Sequence, residues 1–264
     1  MTSEIILQAT LQGTGKVETV DQSRFKLILP MQKKTYSNAQ LDDYVSLPRN
    51  QFKWRPPLHF EIQARTTLAQ PTGTLGFGFW NDPFTFSSGQ EGAARRIPAA
   101  PQTLWFFHSS PENNICLVPG VPGNGWKAAS LRTPNLHPII LAPLAGIALA
   151  MSNVPILGKR VHRIITNIAK SSESVLSFPL NEWHTYTIEW TTTIAQFFVD
   201  GVLVLQSDQP PVGPLGFVTW IDNQYAVFSS SQGLRFGILA TSSEQELEVR
   251  NIKIEPLPHS AHLQ

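Results

Sequence analysis

The stretch from Asn181 to Gln206, NEWHTYTIEWTTTIAQFFVDGVLVLQ, leaves the chain little freedom in its local structure. His184, Tyr186, Ile188 and Trp190 alternate with Trp183, Thr185, Thr187 and Glu189, and this period of two predicts a strand with two unlike faces. A run of threonines then turns the chain, and a second strand is expected from Ile194 to Val199. Asp200-Gly201 is a strong hairpin signal, because a type I′ turn needs positive φ at both central residues. Val202 to Leu205 returns as a third strand. The product is an antiparallel meander, which fixes a fold class before it says anything about chemistry.

The same pattern recurs along the chain. Glu4 to Leu11 and Arg24 to Leu29 read as opening strands. In LHFEIQARTTL, Leu58, Phe60, Ile62 and Ala64 alternate with His59, Glu61, Gln63 and Arg65. Thr74 to Trp80 is a further strand in which Gly76 and Gly78 leave room on one face. Gln102 to Ser110 is strongly aromatic, and Leu215 to Asn223, Gly233 to Ala240 and Gln245 to Pro256 follow. Many short strands between turn signals, with little helical periodicity, predict an all-β sandwich within a single domain spanning 1–264.

One block breaks the pattern. No Lys, Arg, Asp or Glu occurs between Arg132 and Lys159, and Ile139 to Met151 is almost wholly apolar. Prolines at 138, 143 and 155 interrupt it well short of the roughly 20 residues a bilayer-spanning helix needs. Val161, Ile164, Ile165 and Ile168 then recur at helical spacing, with Arg160, Arg163, Asn167 and Lys170 on other faces. A helical, apolar insertion is therefore expected from Pro134 to Ser172. It would pack on the sandwich, close over a groove as a lid, or make peripheral membrane contact through 134–170.

Charge and cysteine content exclude several classes. A net charge of +1, with basic and aromatic residues not interleaved on any strand, gives no footprint for nucleic acid. Cys116 is the only cysteine, so neither a disulfide framework nor a cysteine metal site is expected, and no histidine spacing suggests a metal. With no secretory signal at the start, a cytoplasmic location is expected. Asp42-Asp43 and Glu244 to Glu248 read as solvated acidic surface. No nucleotide or other cofactor motif is present, since the glycines of GTLGFGFW lie inside a strand with no helix to follow.

WHTYTIEWTTTIAQFFVDGVLV resembles the late strands of laminarinase- and lichenase-type glycoside hydrolases in the concanavalin A-like lectin/glucanase superfamily. LHFEIQARTTLAQPTGTLGFGFW resembles the strand pair before their catalytic strand, and ELEVRNIKIEP their final strand. The resemblance runs from about Phe52 to Pro256 without the apolar insertion. It implies a jelly roll of two antiparallel sheets with a concave, glycan-binding face. Those enzymes carry Glu-x-Asp-x-x-Glu on one strand, and retaining hydrolysis needs two carboxyl groups about 5 Å apart. The corresponding segment here, TLWFFHSSPEN, holds no carboxylate before Glu112.

Trp80, Trp105 and Trp220 lie on strands that would cross the concave sheet, and aromatic faces stack on flat ligands. By parity Trp105 and Phe107 share one side of their strand, and Phe106 and His108 the other. Asn81-Asp82 and Asp222-Asn223, with Tyr225 beyond, follow a tryptophan at a strand end. They would serve a ligand rim, or simply turn the chain. The expectation is a non-hydrolytic binder of a glycan or an apolar, amphiphilic small molecule, using Trp80, Asn81, Asp82, Trp105, Phe107, His108, Trp220, Asp222, Asn223 and Tyr225. The alternative is a pocket enzyme (a cyclase, isomerase or hydrolase) with His108, Asp82 and Asp222 as acid–base candidates; an active β-glucanase fits the residues less well. The oligomeric state is not legible in the sequence.

Overall fold

The computed structural model describes residues 5–33, 35–83, 93–97, 99–134, 169–229 and 233–257. The strands in chain order are β1 (Gln8–Gln12), β2 (Lys16–Thr19), β3 (Arg24–Leu29), β4 (Asn38–Asp42), β5 (Leu58–Thr66), β6 (Thr74–Trp80), β7 (Gln102–Ser109), β8 (Asn114–Ile115) and β9 (Gly125–Arg132). They continue with β10 (Lys170–Val175), β11 (His184–Trp190), β12 (Ala195–Val199), β13 (Val202–Ser207), β14 (Gly216–Asp222), β15 (Gln224–Ser229), β16 (Gly233–Ile238) and β17 (Gln245–Pro256). Among the described residues the only helix is a 3-10 turn at Arg49–Gln51.

Two seven-stranded antiparallel sheets face one another. The first runs β1-β4-β14-β6-β7-β9-β10, the second β13-β12-β11-β5-β17-β3-β2, and a small sheet β16-β15-β8 is separate. This order fits a jelly roll. Alternation decides what lies between the sheets: Phe60, Ile62, Tyr186, Ile188 and Trp190 point inward from the second sheet, and Phe77, Phe79, Phe106 and Phe217 from the first, all almost fully buried. Phe106 sits 5.0 Å from the Tyr186 ring and 5.4 Å from that of Phe197. Each such ring removed from water contributes about 1.5–3 kcal/mol.

The hairpin forms as its residues dictate. Asp200 and Gly201 both adopt positive φ, 48° and 77°. The Asp200 carboxylate accepts the Thr185 amide at 2.8 Å and meets His184 Nδ1 at 2.6 Å, so the turn is tied to the strand beside it. A side chain in the left-handed region costs about 1–2 kcal/mol. Gly201→Val is therefore expected to lower unfolding free energy by that amount, read from the urea midpoint, with the strand content unchanged.

Several expectations need correction. The first strand begins at Gln8, not Glu4. Most of the apolar insertion, 135–168, lies outside the described residues, and the end assigned to it does not belong there: Lys170, Ser171 and Ser172 pair with Arg132, Leu131 and Ser130 as part of β10. β4 and β9 escaped the period-2 reading because they are buried almost throughout, in NAQLD and GWKAASLR. A strand covered on both faces has no alternation to show.

Candidate functional site

The outer face of the first sheet, turned away from the core, gathers the aromatic residues. Gly78 pairs with Trp105 across β6 and β7, and Gly76 with Trp220 across β6 and β14. Residues directly opposite project to the same side. Trp80, Trp105, Phe107 and Trp220 thus share the outer face, and the parity expected for β7 holds. The Trp105 ring centroid lies 5.4 Å from Trp220, 6.1 Å from Trp80 and 5.6 Å from Phe107. The three indoles remain partly exposed, while Phe107 is buried.

The glycines of GTLGFGFW make this arrangement possible. A Cβ on Gly76 would stand 2.9 Å from Trp220 Cη2, and one on Gly78 2.9 Å from Trp105 Cβ. The indoles from the two neighbouring strands therefore occupy the space over β6 that side chains would fill. Two indole N–H groups are held from below: Trp80 Nε1 donates to the Tyr44 hydroxyl at 2.6 Å, and Trp220 Nε1 to Thr74 Oγ1 at 3.0 Å.

The platform is braced on both flanks. On one, Tyr44, Phe52 and Val218 form an apolar cluster that Trp80 and Trp220 join. Arg96 lies 5.4 Å from the Tyr44 and Phe52 rings, and its Nε donates to Asp82 at 3.0 Å in a buried ion pair. On the other flank Phe107, Leu117, Ala129 and Leu131 cluster above a fully buried Lys127–Glu173 pair. Lys127 Nζ also donates to the carbonyls of Ile115 and Pro122, at 2.9 and 3.0 Å. Burial pushes the Lys127 ammonium below its ordinary pKa, against the pull of Glu173. These braces escaped the sequence reading; the one available signal was a lone lysine inside the apolar run of β9.

Among the described residues no acid occupies the centre of the platform. The outward positions of β7 are Thr103, Trp105, Phe107 and Ser109, and none is a carboxylate. The acids that border the face are engaged. Asp42, expected at the surface, is wholly buried; it accepts from Thr10, Gln40 and the amides of Tyr44 and Val45, and burial raises its pKa. Asp43 is buried too, accepting from Trp54 Nε1 and the Phe217 amide, with its pKa pushed up to about 6 by burial. Glu248, likewise read as surface, is 2% exposed. In each case a short acidic stretch in the sequence carries no sign of the donors the fold brings to it.

The remaining expected site residues are placed away from the exposed indoles or are already occupied. Asn81 accepts the Gln102 amide and donates to Ala100 O, and Asp82 meets Arg96, so this pair anchors the segment before β7. Asn223 receives the Ser37 amide and donates to Thr35 O and Leu239 O, another tertiary staple. Asp222 accepts from Thr74 and the Gln224 amide, and burial pushes it up to about 6. His108 lies on the inner side of β7 with Nε2 3.0 Å from Pro71 O, and burial lowers its pKa. Tyr225 belongs to the small sheet, its ring against Gly237. No group of three or more His, Cys, Asp or Glu side chains among the described residues could hold a metal ion, and no described helix is long and apolar enough to cross a membrane.

These features define a two-sheet antiparallel sandwich with an aromatic outer face, and the family comparison falls in the same class. The family model for glycosyl hydrolases family 16 matches residues 158–217, less than a quarter of the chain. The match includes the meander of β11–β13, within the Phe52–Pro256 span of the resemblance. Among solved structures, a family 16 endo-glucanase from Bacteroides ovatus is similar at 11% identity and a TM-score of 0.49, covering 97% of each chain. The Bacillus licheniformis β-glucanase is similar at 10% identity and 0.45, covering 96% of this chain and 94% of its own. The GlcNAcα1-4Gal-releasing endo-β-galactosidase from Clostridium perfringens is similar at 12% and 0.45; this chain aligns over 92% of its length but spans about half of that protein, 54%. No curated protein matches the sequence.

Proposed function

We propose that the outer face of the first sheet binds a saccharide without hydrolysing it. The observation that carries this reading is the platform of Trp80, Trp105 and Trp220, partly exposed and set over glycines that keep the floor flat. Indole faces present apolar area at low conformational cost and stack on the C–H faces of sugar rings. The absence of any Glu-x-Asp in the sequence supports binding over hydrolysis, because paired carboxylates are the chemistry of glycoside cleavage. The acid–base candidates of a pocket enzyme are all buried: Asp82 is bound to Arg96, Asp222 to Thr74, and His108 points to the core side. The glycan, more than an apolar small molecule, also agrees with the family 16 match.

The test is calorimetric titration with β-glucan oligosaccharides, run beside a reducing-sugar assay. Trp105→Ala is expected to weaken binding about tenfold or more, since one stacked aromatic is worth on the order of 1–2 kcal/mol, and to leave the unfolding transition cooperative. Steady release of reducing ends by the unaltered protein would refute the non-hydrolytic reading. Equal affinity in the Trp105→Ala protein would remove the platform from it.

A further inference from the structure

The opposite face of the molecule, the outer side of the second sheet, carries a cationic cluster that the saccharide platform does not use. Trp183 precedes β11 and lies on this side, in phase with Thr185, Thr187 and Glu189. The guanidinium carbons of Arg250, Arg65 and Arg24 stand 4.1, 5.0 and 5.8 Å from its ring centroid. They come from three adjacent strands, β17, β5 and β3.

Two of the three share one buried carboxylate. Glu248, with a side chain 3% exposed, accepts from Arg65 Nη2 at 2.7 Å and from Arg24. Arg250 donates through Nε to the neutral Gln63 Oε1 at 2.8 Å and has no carboxylate within ion-pair distance among the described residues. Arg24 also lies in the field of Glu246, which pairs with Lys26, and of Asp21, so the guanidinium left without a carboxylate of its own is that of Arg250.

Arg250 is also placed by an irregularity. The pairing of β17 with β5 shifts register between Arg250 and Lys253, and Asn251 adopts a φ of 54°. A bulge of this kind re-aims the neighbouring side chain at the expense of a ladder bond, and bulges concentrate beside binding sites. Here it directs the one unneutralised guanidinium onto the Trp183 ring.

We propose that Arg24, Arg65 and Arg250, held in a fan around Trp183, form a second binding site for a tetrahedral oxyanion ester, sulfate or phosphate, borne on a saccharide chain. Guanidinium groups present paired N–H donors that match such oxygens, and weak hydration of the guanidinium keeps the cost of desolvation low. Trp183 and Glu248 hold two of the three side chains in place before the ligand arrives. That the ester is carried on a saccharide rests on the proposed function above; the oxyanion site itself does not.

Binding of a sulfated oligosaccharide, its phosphorylated counterpart and the uncharged parent is measured on the full chain at low and at 0.3 M salt. Arg250→Gln is expected to weaken the charged ligands about tenfold, the loss of one charge-assisted contact, and to leave the uncharged parent unaffected. Binding of charged ligands should fall with salt, since exposed ion contacts are screened. The stronger of the two charged ligands identifies the ester. Trp105→Ala, on the other face, should spare charged-ligand binding at this site even if it abolishes the neutral one, so failure of the platform and failure of this site are distinguishable. Undiminished affinity in a folded Arg250→Gln protein, or salt-independent binding, would overturn the proposal. If inorganic sulfate and phosphate bind in place of the saccharide esters, with the same sensitivity to Arg250→Gln, the oxyanion site stands and the saccharide is struck from it.

Discussion

Lys127→Met is expected to lower unfolding free energy by about 3–5 kcal/mol, the usual cost of breaking a buried ion pair from one side. Both side chains of the pair are fully buried. With the ammonium gone, Glu173 keeps only the distant amides of Leu117 and Val118, each at 3.3 Å, to offset its charge. The carbonyls of Ile115 and Pro122 lose their donor at the same time. The paired change Lys127→Met with Glu173→Leu should recover most of the loss, because a pair replaced by apolar groups of similar volume is often neutral. Urea unfolding of the two single variants and the double variant makes the measurement. If the double variant is as unstable as Lys127→Met alone, the damage comes from the two carbonyls and the cluster above them, and the ion pair is incidental. The same series bears on function: the pair underlies the Phe107–Leu117–Leu131 flank, and its loss is expected to loosen that side of the tryptophan platform.

Asp222→Asn is expected to act in the opposite direction, stabilising the protein at neutral pH. Burial is the largest influence on this carboxyl and pushes it up to about 6 from 3.8, while the bonds from Thr74, Gln224 and Tyr36 pull it back. Between those two values the folded state binds the proton more tightly than the unfolded chain does. Stability conferred by the protonated form is therefore lost as pH rises from about 4 to about 6, by roughly 3 kcal/mol for a shift of this size. An asparagine mimics the protonated group: Oδ1 keeps the bonds from Thr74 at 2.8 Å and Gln224 at 3.1 Å, and Nδ2 faces the Tyr36 hydroxyl. The variant should match the parent near pH 3.5, below both values, and exceed it at pH 7.5. His108 contributes the other sign. Burial lowers its pKa, so the unfolded chain takes up a proton first as pH falls below about 6.5, and stability drops. Asp43 behaves as Asp222 does. Thermal unfolding across pH 3.5–7.5 isolates the Asp222 share by difference, and an Asp222→Asn protein less stable than the parent at pH 7.5 would show that the carboxylate's own bonds outweigh its desolvation.

Period-two alternation and the Asp200-Gly201 turn were enough to determine the sandwich, because each is a local consequence of backbone geometry. β5 and β11 needed no partner to reveal which residues face inward, and the residues of β7 sorted by parity alone. The same parity put Trp105 and Phe107 on one side, and Gly76 and Gly78 marked the space above β6. The sequence could not say which of the two sides faces out, since both carry large aromatics and only the second sheet settles which set is core. Nor could it place partners. Asp42, Asp43 and Glu248 look like solvated acids in a linear string, yet they are buried because donors from residues as far as 224 positions away converge on them. Arg24, Arg65 and Arg250 are each an ordinary outward charge on its own strand, and only strand order stacks them around Trp183. What adjacent residues decide among themselves was legible; what depends on desolvation, on neighbouring strands and on which face meets water was decided by the tertiary structure.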